Sequence, residues 1–292
     1  MLITFGEIFE VGFKRLKQAD IADAAIDAER LLMYLMNENR AFLYLHRNDG
    51  TDEDHADAYF ELIDRRAAGE PLQYIVGEQE FMGLNFNVNE YVLIPRQDTE
   101  TLVETALSFA KTKKGTISIL DMCCGSGAIA VSMAHFLKKS KIVACDISEA
   151  ALDVARGNAK RNGVEKKINF IESDLYVSAK KKKPMKDKFD MILCNPPYIP
   201  SSVIPTLQTE VKDHEPISAL DGGADGLDFY RRMATDSATH LKKGGYILFE
   251  IGHDQAEAVT ALLEENGNYQ DIFTHKDMAH LDRVLTARFK DK

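Results

Sequence analysis

Asn195-Pro196-Pro197-Tyr198 is the stretch whose residue types and order could do chemistry. It follows Phe189-Asp190-Met191-Ile192-Leu193-Cys194, an apolar run that reads as a buried parallel strand. Neither proline has an N–H to give to a ladder, and each forces the residue before it into an extended conformation. The strand therefore ends in a stiff corner with bare carbonyls and an amide side chain, at the end where open α/β sheets bind their ligands. Such a corner suits the presentation of a planar NH2 group to an electrophile. The lone pair of an amide or aryl amine nitrogen is delocalised, as in the peptide bond, so the nitrogen is a poor nucleophile. Two fixed acceptors on its N–H bonds would orient it and favour the positive charge that grows during attack. The Asn195 side-chain oxygen and the Pro196 carbonyl are the candidate acceptors. Pro197 keeps them from relaxing, and Tyr198 offers a flat face for a flat group. The competing reading is a proline-rich turn that only ends a strand.

A second constellation lies upstream. Asp121-Met122-Cys123-Cys124-Gly125-Ser126-Gly127 joins a strand to a helix, and two glycines there let a ligand approach the backbone closely. Asp146 ends the next strand, where a carboxylate can accept ribose hydroxyls. Gly125, Gly127 and Ala130 also satisfy a dinucleotide fingerprint, so a nicotinamide oxidoreductase is one reading. Three features favour S-adenosyl-L-methionine instead. Asp121 completes the D-x-x-x-G-x-G form of methyltransferase loops. Glu172-Ser173-Asp174-Leu175 offers a polar-then-apolar pair for an adenine ring. The strand-end corner holds acceptors for an amine and no evident acid for hydride transfer.

The elements that must position these residues alternate from residue 116 onward, as in a doubly wound parallel sheet. Expected strands are 117–121, 141–146, 168–171, 189–194, 246–251, 271–274 and 283–289. Helices are expected over 99–111, after the glycine loop, and over 149–162, 227–241 and 255–266. Residues 1–75 read as a helical domain, with Thr51 as the N-cap of a helix reaching Ala68. Tyr74 to Val88 alternates like a hairpin turning near Gly83. The expected organisation is a helical recognition domain (1–75), a β-hairpin linker (76–95) and a catalytic domain (96–292).

The formal charge of −10 over 292 residues argues against a protein whose affinity comes from neutralising many phosphates. No direct nucleic-acid target is expected. No apolar run reaches the length of a membrane span and no signal pattern opens the chain, so a cytoplasmic protein is expected. Cys123, Cys124, Cys145 and Cys194 contain no C-x-x-C pair and read as reduced thiols near strand ends; no metal is expected. Lys180-Lys181-Lys182-Lys183 reads as a solvated loop.

Ile94-Pro95-Arg96-Gln97-Asp98-Thr99-Glu100, the glycine loop, Asn195-Pro196-Pro197-Tyr198-Ile199, Glu215-Pro216 and the stretch Ala219 to Leu227 together resemble the release-factor glutamine methyltransferases, also called HemK or PrmC. The likeness covers nearly the whole chain. It implies an α/β, Rossmann-like class I S-adenosylmethionine-dependent methyltransferase core with a small N-terminal all-α domain joined by a β-hairpin linker. It also implies a substrate, the glutamine of the Gly-Gly-Gln loop of peptide chain release factors, and S-adenosyl-L-homocysteine as the second product. Asp121, Cys123, Cys124, Gly125, Ser126, Gly127, Asp146, Asp174, Leu175 and Asn195 are the implied cofactor residues. Asn195, Pro196, Pro197 and Tyr198 would hold the glutamine amide, with Asn195, Pro196 and Tyr198 as catalytic groups. A monomer is expected. Cys123 stands where the family often has glycine, and Gln97 replaces the usual proline. The rival readings are an adenine amino-methyltransferase acting on DNA, since the Asn-Pro-Pro-Tyr element is shared, and a non-catalytic S-adenosylmethionine-binding module.

Overall fold

The structure is a computed structural model that describes residues 3–178 and 183–290. The lysine run at 180–182 lies outside the described residues. The chain forms two compact units. The first runs to Gly77 and takes in Gln208–His214; the second comprises Glu78–Leu207 and Glu215 onward.

The first unit is helical: α1 (Phe5–Gln18), α2 (Ala24–Met36), α3 (Arg40–Leu45), α4 (Glu53–Ala67) and α5 (Leu72–Val76). A capping box starts α1, in which Thr4 Oγ1 accepts from the Glu7 N–H and the Glu7 carboxylate accepts from the Thr4 N–H. Helix α4 begins one residue later than expected. Asp52, not Thr51, is the N-cap, because its carboxylate reaches the His55 N–H at 2.8 Å. Residues 72–76 form a helix, not the first arm of a hairpin. Leu72 and Ile75, three apart, both enter the helical core, and a run this short has no period of its own to decide the matter. The polar exception in that core is Arg66. It pairs with Asp27 at 2.7 Å and with Glu210 of the returning segment at 2.8 Å.

The second unit opens on the hairpin β1 (Glu78–Phe81) and β2 (Leu84–Asn87), turned by Met82 and Gly83, both at positive φ. A single turn at Gln97–Thr99 leads into α6 (Glu100–Ala110). The sheet strands are β3 (Ile117–Met122), β4 (Ser140–Asp146), β5 (Ile168–Asp174), the short β6 (Val177–Ser178) and β7 (Lys183–Pro184), β8 (Phe189–Cys194), β9 (Leu241–Glu250), β10 (Tyr269–Lys276) and β11 (Asp282–Phe289). Helices α7 (Ala128–Phe136) and α8 (Glu149–Arg161) follow β3 and β4. Among the described residues the order across the sheet is β10-β11-β9-β8-β3-β4-β5-β6-β7. β5, β4, β3, β8 and β9 run parallel; the two strands at each end run antiparallel.

Side chains of β8 show why its sequence is apolar from Met191 to Cys194. Met191 and Leu193 enter one hydrophobic cluster while Ile192 and Cys194 enter the other, so both faces of the sheet are covered. β9 starts at Leu241, well before the expected Tyr246. A register shift against β8 between Phe189 and Met191 lets the strand continue through Gly244 and Gly245. From β3 the chain moves to β4 and β5 on one side, and then returns to place β8 on the other. That reversal opens a crevice at the carboxyl ends of β3 and β8, which carry the glycine loop and Asn195.

Candidate active site

A cavity of about 580 Å³ occupies this crevice, within the size range of small-molecule sites. Its floor is Met122 to Ser126, its sides are Asp146–Ser148 and Ser173–Leu175, and Asn195 and Pro197 sit at one end. Pro95, Arg96 and Thr99 approach from the segment before α6, and Pro216–Ala219 from the loop after β8. Arg96 therefore faces the cavity. Its guanidinium pairs at 2.6 Å with Glu215, whose side chain is buried, and this links two of the walls.

The glycine loop is held from three directions. The Cys124 N–H donates to the Cys145 carbonyl at 2.9 Å. Asp146 Oδ2 accepts from the Gly125 N–H at 2.8 Å, and Asp146 Oδ1 from the Ser148 N–H at 3.0 Å. Asn158 of α8, fully buried, donates to the Ser126 carbonyl at 2.9 Å and to the Asn87 carbonyl at 3.0 Å, tying the loop to β2. Gly127 takes a φ of 78° to start α7, and a Cβ there would lie 3.0 Å from that of Ala155. Cys123 takes a φ of 59°, a left-handed conformation with a side chain present.

Of the expected cofactor residues, Cys123, Cys124, Gly125, Ser126, Asp146, Asp174, Leu175 and Asn195 line the cavity. Asp121 and Gly127 do not. Asp121 is buried beneath the loop, where Oδ2 accepts from the Ala130 N–H at 2.9 Å and Oδ1 has no partner among the described residues. Burial pushes its carboxyl up to about 8. Its place in the fold is to anchor the first turn of α7. Burial also raises Asp146, opposed by the backbone N–H groups of Ser148, Gly125 and Ile147. Asp174 is engaged by Arg232 at 2.6 Å.

At the corner, Asn195 is half-buried and its Nδ2 donates to Thr99 Oγ1 at 3.3 Å, which leaves Oδ1 for the cavity. Among the described residues nothing donates to the Pro196 carbonyl. Pro196 and Pro197 are buried, and Pro197 lines the cavity while Pro196 does not. Tyr198 departs from expectation. Its ring packs with the cluster around Tyr230 and Phe249 and does not line the cavity. Its carbonyl accepts from Gln255 Nε2 at 3.0 Å, and Gly222 and Gly226 fit so closely against its backbone that a Cβ on either would clash. Much of the Ala219–Leu227 stretch thus braces the corner from behind. Burial pushes the Tyr198 hydroxyl well up, so it stays neutral.

Sequence reasoning missed Thr99, Glu250, Arg232 and Asn158. Glu250 carried a signal: it is a carboxylate closing an apolar strand, like Asp121 and Asp146. The others sit on helices or turns, where a polar residue is unremarkable. The four cysteines are free thiols, and burial raises Cys124, Cys145 and Cys194. Among the described residues no helix is long and apolar enough to cross a membrane.

Residues 7–77 match the family model of the PrmC N-terminal domain, and residues 98–208 that of the methyltransferase small domain. The release factor glutamine methyltransferase of Clostridium botulinum is 41% identical over 277 residues, 95% of this chain and 96% of the relative. That of Geobacter sulfurreducens is 39% identical over 274 residues, 94% and 92% of the two chains. A solved methyltransferase from Pyrococcus furiosus, 20% identical, shares the fold with a TM-score of 0.50 over 73% of this chain and 91% of its own. Sheet order, the glycine loop at the reversal and these matches define a class I S-adenosylmethionine-dependent methyltransferase. Within that class, the coverage and identity of its relatives are decisive. The chain belongs to the family of release factor glutamine methyltransferases.

Proposed function

We propose that the protein methylates the side-chain amide nitrogen of the glutamine in the Gly-Gly-Gln loop of peptide chain release factors. The observation that carries this reading is the free acceptor Asn195 Oδ1 at one end of the glycine-loop cavity, followed in the chain by the Pro196 carbonyl, to which nothing donates among the described residues. The cavity suits S-adenosyl-L-methionine: Asp146 and Asp174 offer acceptors for sugar hydroxyls and an amino group, and Ile147 and Leu175 offer apolar surface for the adenine. When bound there, S-adenosylmethionine supplies a methyl group made electrophilic by its sulfonium centre and leaves as S-adenosyl-L-homocysteine.

The rest of the chemistry belongs to the chain. Asn195 Oδ1 and the Pro196 carbonyl take the two N–H bonds of the substrate amide and turn its lone pair toward the cavity. Both are negative ends of dipoles, so they favour the nitrogen more as it becomes cationic than in the ground state. The prolines and the Gln255 and Gly222–Gly226 bracing keep them from moving. Tyr198 serves this geometry through its backbone. A cytoplasmic location is part of the same reading, supported by four free thiols.

The test is incubation of the purified protein with isotope-labelled S-adenosylmethionine and a release factor, followed by peptide mass spectrometry. One methyl group on the Gly-Gly-Gln glutamine is expected. Label in duplex DNA with none in the release factor would assign the corner to adenine instead.

A further inference from the structure

Glu250 closes β9 directly beside Asn195. The parallel register pairs Cys194 with Phe249, so the next residues along, Asn195 and Glu250, emerge side by side at the carboxyl edge. Glu250 is 2% exposed, and its Oε2 has no hydrogen-bond partner among the described residues. An orphaned carboxylate oxygen in such a place is costly, and the chemistry described so far makes no use of it. Thr99, 4% exposed, accepts from Asn195 Nδ2 through its hydroxyl, and the same side chain is within hydrogen-bonding reach of the Glu250 carboxyl.

The two ends of the Asn195 amide are not equivalent for the chemistry. An oxygen facing the substrate accepts an N–H; an NH2 facing it would repel the same group. Nothing in the covalent structure of asparagine decides which end faces out; its hydrogen-bond partners do. A hydroxyl can donate one proton and accept others, so the direction in which Thr99 donates decides what it offers to Asn195.

We propose that Thr99 and Glu250 are positioning residues: the Glu250 carboxylate takes the Thr99 hydroxyl proton, so Thr99 accepts from Asn195 Nδ2 and the Asn195 oxygen is turned to the substrate. This rests on the reading of Asn195 as an acceptor for the substrate amide. It follows that protonated Glu250 would donate to Thr99, turn the hydroxyl proton toward Asn195, and favour the unproductive end of the amide. Burial pushes the Glu250 carboxyl up to about 7. The charges around it are Arg283 of β11, Asp98 and Arg96 from the segment before α6, with the hydroxyls of Tyr198 and Tyr230 nearby. Arg283 and Arg96 favour the carboxylate, while Asp98 opposes it. The productive arrangement is therefore present at high pH and lost as pH falls through about 7.

The experiment compares wild type with Thr99→Val, Thr99→Ser, Glu250→Gln and Asn195→Ala, with a purified release factor as substrate and S-adenosyl-L-homocysteine binding measured by calorimetry. Thr99→Val should lower kcat by roughly 10- to 100-fold, below the full effect of losing a fixed transition-state hydrogen bond. Its affinity for S-adenosyl-L-homocysteine should fall by a smaller factor than kcat, since Thr99 lines the cavity but its proposed role is exerted on the substrate amide through Asn195. Thr99→Ser should restore kcat to within a few-fold, about the cost of a lost methyl group. Wild-type kcat should fall on the acid side of pH 7, and Glu250→Gln should flatten that limb. Full activity in Thr99→Val, equal impairment in Thr99→Val and Thr99→Ser, or an unchanged acid limb in Glu250→Gln would overturn the inference. Should Thr99→Val fail to fold, the Glu250→Gln profile decides. An Asn195→Ala enzyme with near-normal turnover would instead sink the underlying reading of the corner, whatever the other variants do.

Discussion

Asn195→Ala is the sharpest perturbation of the corner, and the structure sets its size. The substitution removes one of two acceptors for the reacting nitrogen and leaves the Pro196 carbonyl. Loss of one preorganised hydrogen bond to developing charge costs about 2.7–4 kcal/mol at the transition state. Asn195 is half-buried and its cavity opens to solvent, so water can replace part of what is lost. The low end is therefore expected: about 3 kcal/mol, or on the order of 100-fold in kcat. The ground-state cost is smaller. The bond from Nδ2 to Thr99 is long, at 3.3 Å, and joins neutral groups. Its loss should cost about 0.5–1.5 kcal/mol of stability, a shift of only a few degrees in Tm. The assay is methyl transfer to a purified release factor at saturating cofactor and varied substrate, with a thermal melt alongside. Turnover within a few-fold of wild type would refute the role given to Oδ1. A loss carried entirely by KM for the release factor would refute it as well, because uniform binding is not what the acceptor is argued to supply.

Three further outcomes follow from other parts of the chain. Arg66→Ala would leave Asp27 buried and unpaired and is expected to destabilise the helical unit by about 3–5 kcal/mol, read by limited proteolysis and urea unfolding. Gly127→Ala forces a side chain into a left-handed turn and 3.0 Å from the Ala155 Cβ. It should cost about 1–3 kcal/mol in stability and weaken S-adenosyl-L-homocysteine binding, both measurable by calorimetry. Burial pushes the Asp121 carboxyl up to about 8 from its ordinary value near 3.8, so between those values the folded state holds a proton that the unfolded state lacks. Stability then falls as pH rises from about 4 to about 8, by up to ~1.4 kcal/mol per pH unit from this group, and Asp121→Asn should remove that part of the slope in urea titrations at several pH values.

How far these features could be read from sequence depended on whether a residue's local type carried its structural meaning. β8 was legible because burial on both faces leaves a continuous apolar run over residues 191–194. Asp146 lies where the sequence placed it, at the end of β4 and in the cavity wall, and there it also holds the Gly125 and Ser148 N–H groups. Leu72–Val76 misled because five residues can satisfy either period, and only contact with the helical core selected the helix. Asp121 looked like Asp146 in sequence, yet α7 starts above it and takes its oxygen for the Ala130 N–H. Tyr198 looked like an aromatic wall, but its place behind the corner follows from the register of Gly222 and Gly226, far along the chain. Thr99 stood in the 94–100 stretch without a role assigned to it. Its meaning lies in contacts with residues 96 and 151 positions away, and no local pattern encodes those.

The disposition of charge in the cavity says what kind of catalyst the chain can be. Asp146, Asp174 and Asp221 are the carboxylates that line it among the described residues. Asp146 is committed to the Gly125 and Ser148 N–H groups, Asp174 to Arg232, and Asp221 to Ser201 and the Gly223 N–H. Among the described residues no histidine lines the cavity, and burial holds the Tyr198 hydroxyl neutral behind it. None of these groups is free to remove a proton before the nitrogen attacks. An amide has no need of that step: its neutral lone pair can attack once oriented, and alkylation then makes the N–H acidic enough to lose its proton to water. What the site must supply is direction and electrostatic support for a nitrogen turning cationic. In the proposed reading, two fixed oxygens on a proline corner supply that support.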